Sequence, residues 1–161
     1  MNLSENVQPF SMAPLGPEHV RALSMILCSM EPWLTMEYVP EDFEFYLLHA
    51  DPGLVRHVVM ISGQVAGVVV LRNPWLFGPL IELIALFDGF RGGGVGATIV
   101  EWLGKRYKCR NLWVTVASFN VRAQKFYEKV GFEKKAVLED LIKPGWDEFL
   151  LRKRMARPDK A

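Results

Sequence analysis

The run Phe90-Arg91-Gly92-Gly93-Gly94-Val95-Gly96-Ala97-Thr98 constrains this chain more than any other segment. Three glycines in a row, then a fourth after Val95, let the backbone take φ > 0 and lie close against a ligand. An apolar stretch precedes the run. A helical pattern follows it, with Val95, Ile99, Leu103 and Tyr107 on the inner face. A glycine loop that opens a helix brings free N–H groups and the positive end of the helix dipole to one point. That is an anion site, and diphosphate is its usual occupant.

The rest of the chain limits what can surround such a site. With 161 residues, half of them apolar, it can bury one core, so residues 1–161 are expected to form a single domain. The 19 basic residues nearly balance the 18 acidic ones, which argues against a nucleic-acid partner. Cys28 and Cys109 match no C-x-x-C pattern and predict two buried thiols in a reducing compartment. The start Met1-Asn2-Leu3-Ser4-Glu5 has no signal-peptide character, and no apolar stretch approaches the roughly 18 residues that span a bilayer. A cytoplasmic location with no membrane partner is the expectation. His19, His49 and His57 fall at no metal-ligand spacing, so no metal is expected.

Periodicity and turn chemistry order the elements. Residues 7–15 read as an edge strand because of their prolines. Pro17 starts a helix that Pro32 stops, and a shorter helix covers 40–49. Strands at 54–60 and 65–71 flank the turn Ser62-Gly63. A strand at 79–87 leads into the glycine loop and its helix. Leu112–Val116 is a buried strand, Asn120–Val130 a helix closed by Gly131, and strands at 132–138 and 147–155 finish the chain. The order predicts a mixed α/β (α+β) sheet with helices on both faces.

Three nucleotide readings compete for the loop. A Walker-type loop needs Lys-Ser or Lys-Thr after its last glycine, but Gly96 is followed by Ala97. A dinucleotide fold could use Gly92-x-Gly94-x-x-Ala97, yet it wants an acidic residue at the end of the next strand. Val114-Thr115-Val116-Ala117-Ser118 has none. The third reading is the pyrophosphate of an acyl-CoA.

Here two blocks carry a family resemblance. Arg91-x-x-Gly94-x-Gly96 resembles the Gln/Arg-x-x-Gly-x-Gly/Ala signature of the GNAT N-acetyltransferases. Asn120-Val121-Arg122-Ala123-Gln124-Lys125-Phe126-Tyr127-Glu128-Lys129-Val130-Gly131-Phe132 is similar to that family's Asn-x-x-Ala-x-x-x-Tyr-x-x-x-Gly-Phe helix. The resemblance covers nearly the whole chain and implies a mostly antiparallel sheet of 6–7 strands with about four helices. It also implies acetyl-CoA as co-substrate, held by Arg91, Gly92, Gly93, Gly94, Val95, Gly96 and Ala97. Gly93 departs from the pattern, since Lys or Arg often stands there, and one cation near the phosphates is thereby missing. By the same resemblance the Leu86 N–H bonds the thioester carbonyl, and the acyl arm lies in a gap between two splayed strands.

Tyr127 and Asn120 lie two helical turns apart and share a face. The resemblance implies that Asn120 bonds the pantetheine amides and that Tyr127 protonates the leaving thiolate, the alternative for Tyr127 being a core aromatic. Glu82 is the one ionisable residue in 79–87, where a lone carboxylate is costly unless paired or set in a cleft. It is either the general base, directly or through water, or a solvent-facing or salt-bridged residue at a strand edge. On the acceptor side, Trp33, Met36, Tyr38, Trp75, Phe77 and Trp146 predict an apolar slot, unless some serve the core or a homodimer contact. Glu31, Glu37, Glu41, Asp42 and Glu44 would favour a cationic amine. The expected function is acetyl transfer from acetyl-CoA to an amine of a small molecule or peptide in a ternary complex. A non-catalytic acyl-CoA-binding module is the alternative.

Overall fold

The computed structural model describes residues 9–156. Its elements are β1 (Ser11–Pro14), α1 (Pro17–Cys28), α2 (Pro40–Leu48), β2 (Leu54–Ile61), β3 (Gln64–Arg72), β4 (Leu80–Leu86), α3 (Val95–Arg106), β5 (Asn111–Ala117), α4 (Val121–Lys129), β6 (Glu133–Lys143) and β7 (Trp146–Arg154). The strands form one sheet in the order β1-β2-β3-β4-β5-β7-β6. Every neighbouring pair is antiparallel except β4 and β5. This is the mixed, mostly antiparallel architecture the sequence predicts, with β1 at an edge, where Pro14 has no N–H to offer a further strand.

Strand alternation builds two cores. Val59, Val69, Leu71 and Ile81 face α3 and α4 and pack with Ile99, Leu103 and Tyr127. Val58, Val68, Val70 and Leu83 face the opposite way, onto Leu23 and Leu27 of α1 and Phe43 and Leu47 of α2. A one-residue slip in β3 would exchange the two sets, so its register is strongly specified. The turn between β2 and β3 holds it. Ser62 and Gly63 take φ of 50° and 74°, the left-handed pair of a type I′ hairpin.

The structure corrects several expectations. The first strand is shorter than 7–15, and residues 7 and 8 lie outside the described residues. Tyr107 lies one residue past the end of α3, as its C-cap, yet still packs on the same core as Val95, Ile99 and Leu103. The strand predicted over 132–138 runs on to Lys143, with shifts of register against β7 that carry it past the expected end. Of the two cysteines only Cys109 is buried, and burial raises its thiol pKa. Cys28, at the end of α1, is half-buried. No helix among the described residues is long and apolar enough to cross a membrane.

One feature of the topology creates a site. β4 and β5 are paired only at Leu80↔Trp113 and Ile81↔Val114 and then diverge. Their C-terminal halves form the walls of a cleft.

Candidate active site

The glycine loop closes one end of that cleft. Gly92, Gly93 and Gly94 take φ of 93°, 59° and 77°, which any residue with a Cβ resists. A Cβ at any of the three would touch nothing within 4 Å, so the requirement comes from backbone conformation and not from crowding. Gly94 is the N-cap of α3, and the loop folds back through Val95 N–H to Gly92 O at 3.4 Å. Among the described residues the N–H groups of Gly93, Gly94, Gly96 and Ala97 have no acceptor. They are the orphan donors of a helix start. Arg91 holds the loop to the sheet, its Nε donating to Leu86 O at 2.7 Å while its guanidinium pairs with Asp88 at 3.3 Å.

Leu86 ends β4 opposite Gly67. The next N–H, that of Phe87, donates to Ala66 O on β3 at 2.8 Å. Amides alternate direction along a strand, so the Leu86 N–H points away from β3, toward β5. By that point β5 has diverged, and the donor faces the cleft.

The helix α4 forms the other wall. Asn120 is its N-cap, and its Oδ1 accepts the Ala123 N–H at 3.2 Å. Asn120 therefore has a structural task that its spacing to Tyr127 did not reveal, and both residues line the cleft. At the far end Gly131 takes φ of 97°. Its N–H reaches Glu128 O at 3.1 Å, and the Phe132 N–H reaches Tyr127 O at 2.9 Å. This Schellman closure sets the Phe132 ring edge-on to Tyr127 at 5.3 Å, with Phe126 on the same ring at 5.2 Å. Tyr127 is only 6% exposed, and burial, followed by the charge of Glu148, raises its phenol pKa above the usual value.

Two carboxylates border the cleft interior, and their surroundings differ. Glu82 is tied on both oxygens. Arg72 Nε donates to one, and the Tyr46 hydroxyl donates to the other at 2.8 Å. Arg72 continues to Asp51 at 3.2 Å, so Glu82 joins β4 to β3, α2 and the segment after α2. This is the salt-bridged arrangement. Glu148 on β7 is 4% exposed and, among the described residues, has neither an ion pair nor a hydrogen bond to its carboxylate. Burial raises its pKa from 4.5 to about 7. Glu148 is missing from the sequence reading. Its signal is the apolar row of Trp146 and Leu150 on the same strand face, the same anomaly that marks Glu82 in β4.

The cleft has a volume of about 1050 Å³. Its acceptor side is formed by the segment between α1 and α2 and by the β6–β7 hairpin. The hairpin is held there by Lys143, whose ammonium donates to Met36 O. Of the six large groups expected in the slot, Trp33 and Met36 line it. Tyr38 packs on Phe43 at 5.3 Å, and Trp146 packs on Phe119 at 4.8 Å. Trp75 and Phe77 lie at the other end of the sheet, where β4 and β5 are still zipped together. Trp75 packs on Trp113 at 5.3 Å, and the Trp113 indole donates to Leu76 O at 2.8 Å. Of the five acidic residues, only Glu31 reaches the wall of the cleft. Glu44 pairs with Arg21, and Asp42 accepts the Val39 N–H at the start of α2. No group of three His, Cys, Asp or Glu that could hold a metal occurs among the described residues.

The glycine loop at a helix start, the splayed parallel pair and the Tyr-bearing helix thus meet at one cleft. Residues 21–132 match the Acetyltransferase (GNAT) family, and the chain belongs to it. It is 28% identical over 102 residues to an uncharacterized N-acetyltransferase of Methanocaldococcus jannaschii, a stretch covering 61% of this chain and 65% of that relative's length. Among solved structures, an acetyltransferase from Thermus thermophilus superposes with a TM-score of 0.73 at 17% identity, over 92% of this chain and 99% of that one. A Bacillus anthracis protein assigned as a streptothricin acetyltransferase, in complex with acetyl-coenzyme A, superposes with a TM-score of 0.58 at 21% identity, over 66% of this chain and 65% of that one. At these identities the two structures speak to the fold alone.

Proposed function

We propose that this protein transfers an acetyl group from acetyl-CoA to a primary amine of a small molecule or peptide, directly within a ternary complex. The supporting observation is a coincidence at the gap between β4 and β5. Leu86 with its free N–H, Tyr127, and Arg91, Gly92 and Gly96 of the glycine loop all line one cleft. In this reading the diphosphate rests on the loop's free backbone N–H groups, those of Gly93, Gly94, Gly96 and Ala97, with Arg91 holding the loop in place. The pantetheine arm runs beside β4 and against Asn120. The Leu86 N–H polarises the thioester carbonyl where negative charge develops. As the C–N bond forms and the C–S bond breaks, Tyr127 gives its proton to sulfur. Its raised pKa keeps the phenol protonated until then. The Glu82 carboxylate is already engaged by Arg72 and Tyr46.

Thermal unfolding with acetyl-CoA, NADH and ATP in parallel tests the cofactor. A ligand at 100 times its dissociation constant adds about 2.7 kcal/mol, several degrees for a chain of this size. Stabilisation by NADH or ATP in place of acetyl-CoA overturns the reading. The Tyr127→Phe variant tests the chemistry. It is expected to bind acetyl-CoA as the wild type does and to turn over about 100-fold more slowly or less. A wild type that binds acetyl-CoA but releases no CoA with any amine is a binding module.

A further inference from the structure

We infer that Glu148 is the group that receives the acceptor's ammonium in the cleft and takes its proton before acetyl transfer. This rests on the reading of the cleft as an acetyltransferase site.

A buried carboxylate in a native structure is almost always paired or hydrogen-bonded, because removing a charge from water is costly. Glu148 is 4% exposed and, among the described residues, has no protein donor on its oxygens, which keep contact with solvent. It also borders the cleft, so a donor can arrive from outside the protein. Its place in the sheet fits that use. β7 lies beside β5, with Glu148 level with Ala117, the last residue of β5. The chain then turns into α4, which carries Tyr127. Glu148 and Tyr127 both line the cleft. A proton acceptor and a proton donor thus flank one stretch of the cleft.

The groups around Glu148 leave its charge uncompensated. Tyr127 from α4 and Tyr38 from the segment after α1 both feel its charge, and both are neutral phenols. β5 carries no ionisable side chain over Asn111–Ala117, and Leu138 stands opposite on β6. The other charged side chains on the cleft wall are Glu31, Glu82, Asp88, Arg91 and Arg122. Glu31 accepts from Thr35 at 2.8 Å, Glu82 is paired, and Asp88 and Arg91 pair with each other at the glycine loop. A primary ammonium entering past Trp33 and Met36 meets Glu148 as the cleft-wall carboxylate with neither an ion pair nor a protein hydrogen bond among the described residues. Desolvation also matches Glu148 to the task, since a base that titrates near 7 works close to neutral pH.

The proton balance closes. One ammonium proton passes to Glu148 and on to solvent. The freed amine forms the C–N bond as the C–S bond breaks. The second proton lost from nitrogen replaces the one that Tyr127 hands to sulfur, so the products are the amide, CoA thiol and one proton.

The test compares wild type, Glu148→Gln and Glu82→Gln, with acetyl-CoA and a panel of 2-phenylethylamine, spermidine and a peptide with a free N-terminal alanine. CoA release is followed from pH 5.5 to 9, and acetyl-CoA affinity is measured calorimetrically for each protein. The expected result for Glu148→Gln is unchanged acetyl-CoA affinity, kcat lower by about 100-fold or more at pH 7, and loss of the acidic limb of the profile. Glu82→Gln is expected to keep that limb. Should Glu148→Gln stay within threefold of wild type with the same limb, or Glu82→Gln alone abolish it, Glu148 is not the base and the transferase reading stands. If wild type releases no CoA with any of these amines while binding acetyl-CoA, the transferase reading falls and this inference falls with it.

Discussion

Glu148→Gln also makes a prediction about stability that needs no substrate. In the unfolded chain Glu148 titrates near 4.5, and in the folded chain near 7. The folded state therefore holds the proton more tightly. Its relative stability is complete below about pH 4.5 and is lost as pH rises through 7. At about 1.4 kcal/mol for each tenfold change, the difference corresponds to about 3 kcal/mol once both states are ionised. Glutamine keeps nearly the same shape and carries no charge, so the variant avoids this cost. Urea unfolding of both proteins from pH 4.5 to 8 is the assay. The two should be nearly equal at the acid end and separate through pH 5–7, with the variant more stable at pH 8 by about 3 kcal/mol. For a chain of this length that is roughly 6–12 °C in Tm. Other carboxylates titrate alike in both proteins and cancel in the difference. The neighbouring Tyr127 and Tyr38 phenols have raised pKa values and stay protonated throughout. Curves that run parallel across the whole range would refute the reasoning, since Glu148 would then be as well solvated folded as unfolded.

Two further substitutions probe the frame around the site. Gly94→Ala places a Cβ at φ 77° in open space, so the expected loss is the backbone cost alone, about 1–2 kcal/mol in urea unfolding. Acetyl-CoA affinity should fall with it, because the loop can relieve the strain only by turning its N–H groups away; unchanged affinity would argue against this loop as the diphosphate site. Asn120→Ala removes the cap on α4 and is expected to cost about 1 kcal/mol, with Asn120→Asp recovering most of it. If Asn120 also bonds pantetheine, calorimetry will show that Asn120→Asp restores stability but not acetyl-CoA affinity.

Much of this fold was legible because its decisive signals are local. The left-handed residues at Ser62-Gly63, Gly92–Gly94 and Gly131 lie where glycine and short polar residues stand in the sequence. A helix or hairpin boundary depends on the few residues beside it. The two-residue alternation in Val68-Val69-Val70-Leu71 likewise announces a strand buried on both faces. Tyr127 and Asn120 were legible as a pair because seven residues on a helix return to the same face.

Which carboxylate stands free was not legible, because that depends on partners distant in sequence. Glu82 looks isolated in β4 until Arg72 arrives from β3 and Tyr46 from α2, 10 and 36 residues away. Glu148 looks like an ordinary strand residue until β7 takes its place between β5 and β6 and brings it to the cleft unpartnered. Trp75 and Phe77 were expected in the acceptor slot, but β4 and β5 are zipped at that end and splayed at the other. The sequence by itself determined where the chain turns, where its helices begin and which loop can hold an anion, because backbone conformation is decided by neighbouring residues. Tertiary structure alone decided which charges are paired and which end of the sheet opens, because charge pairing and strand divergence are set between elements that only the fold brings together.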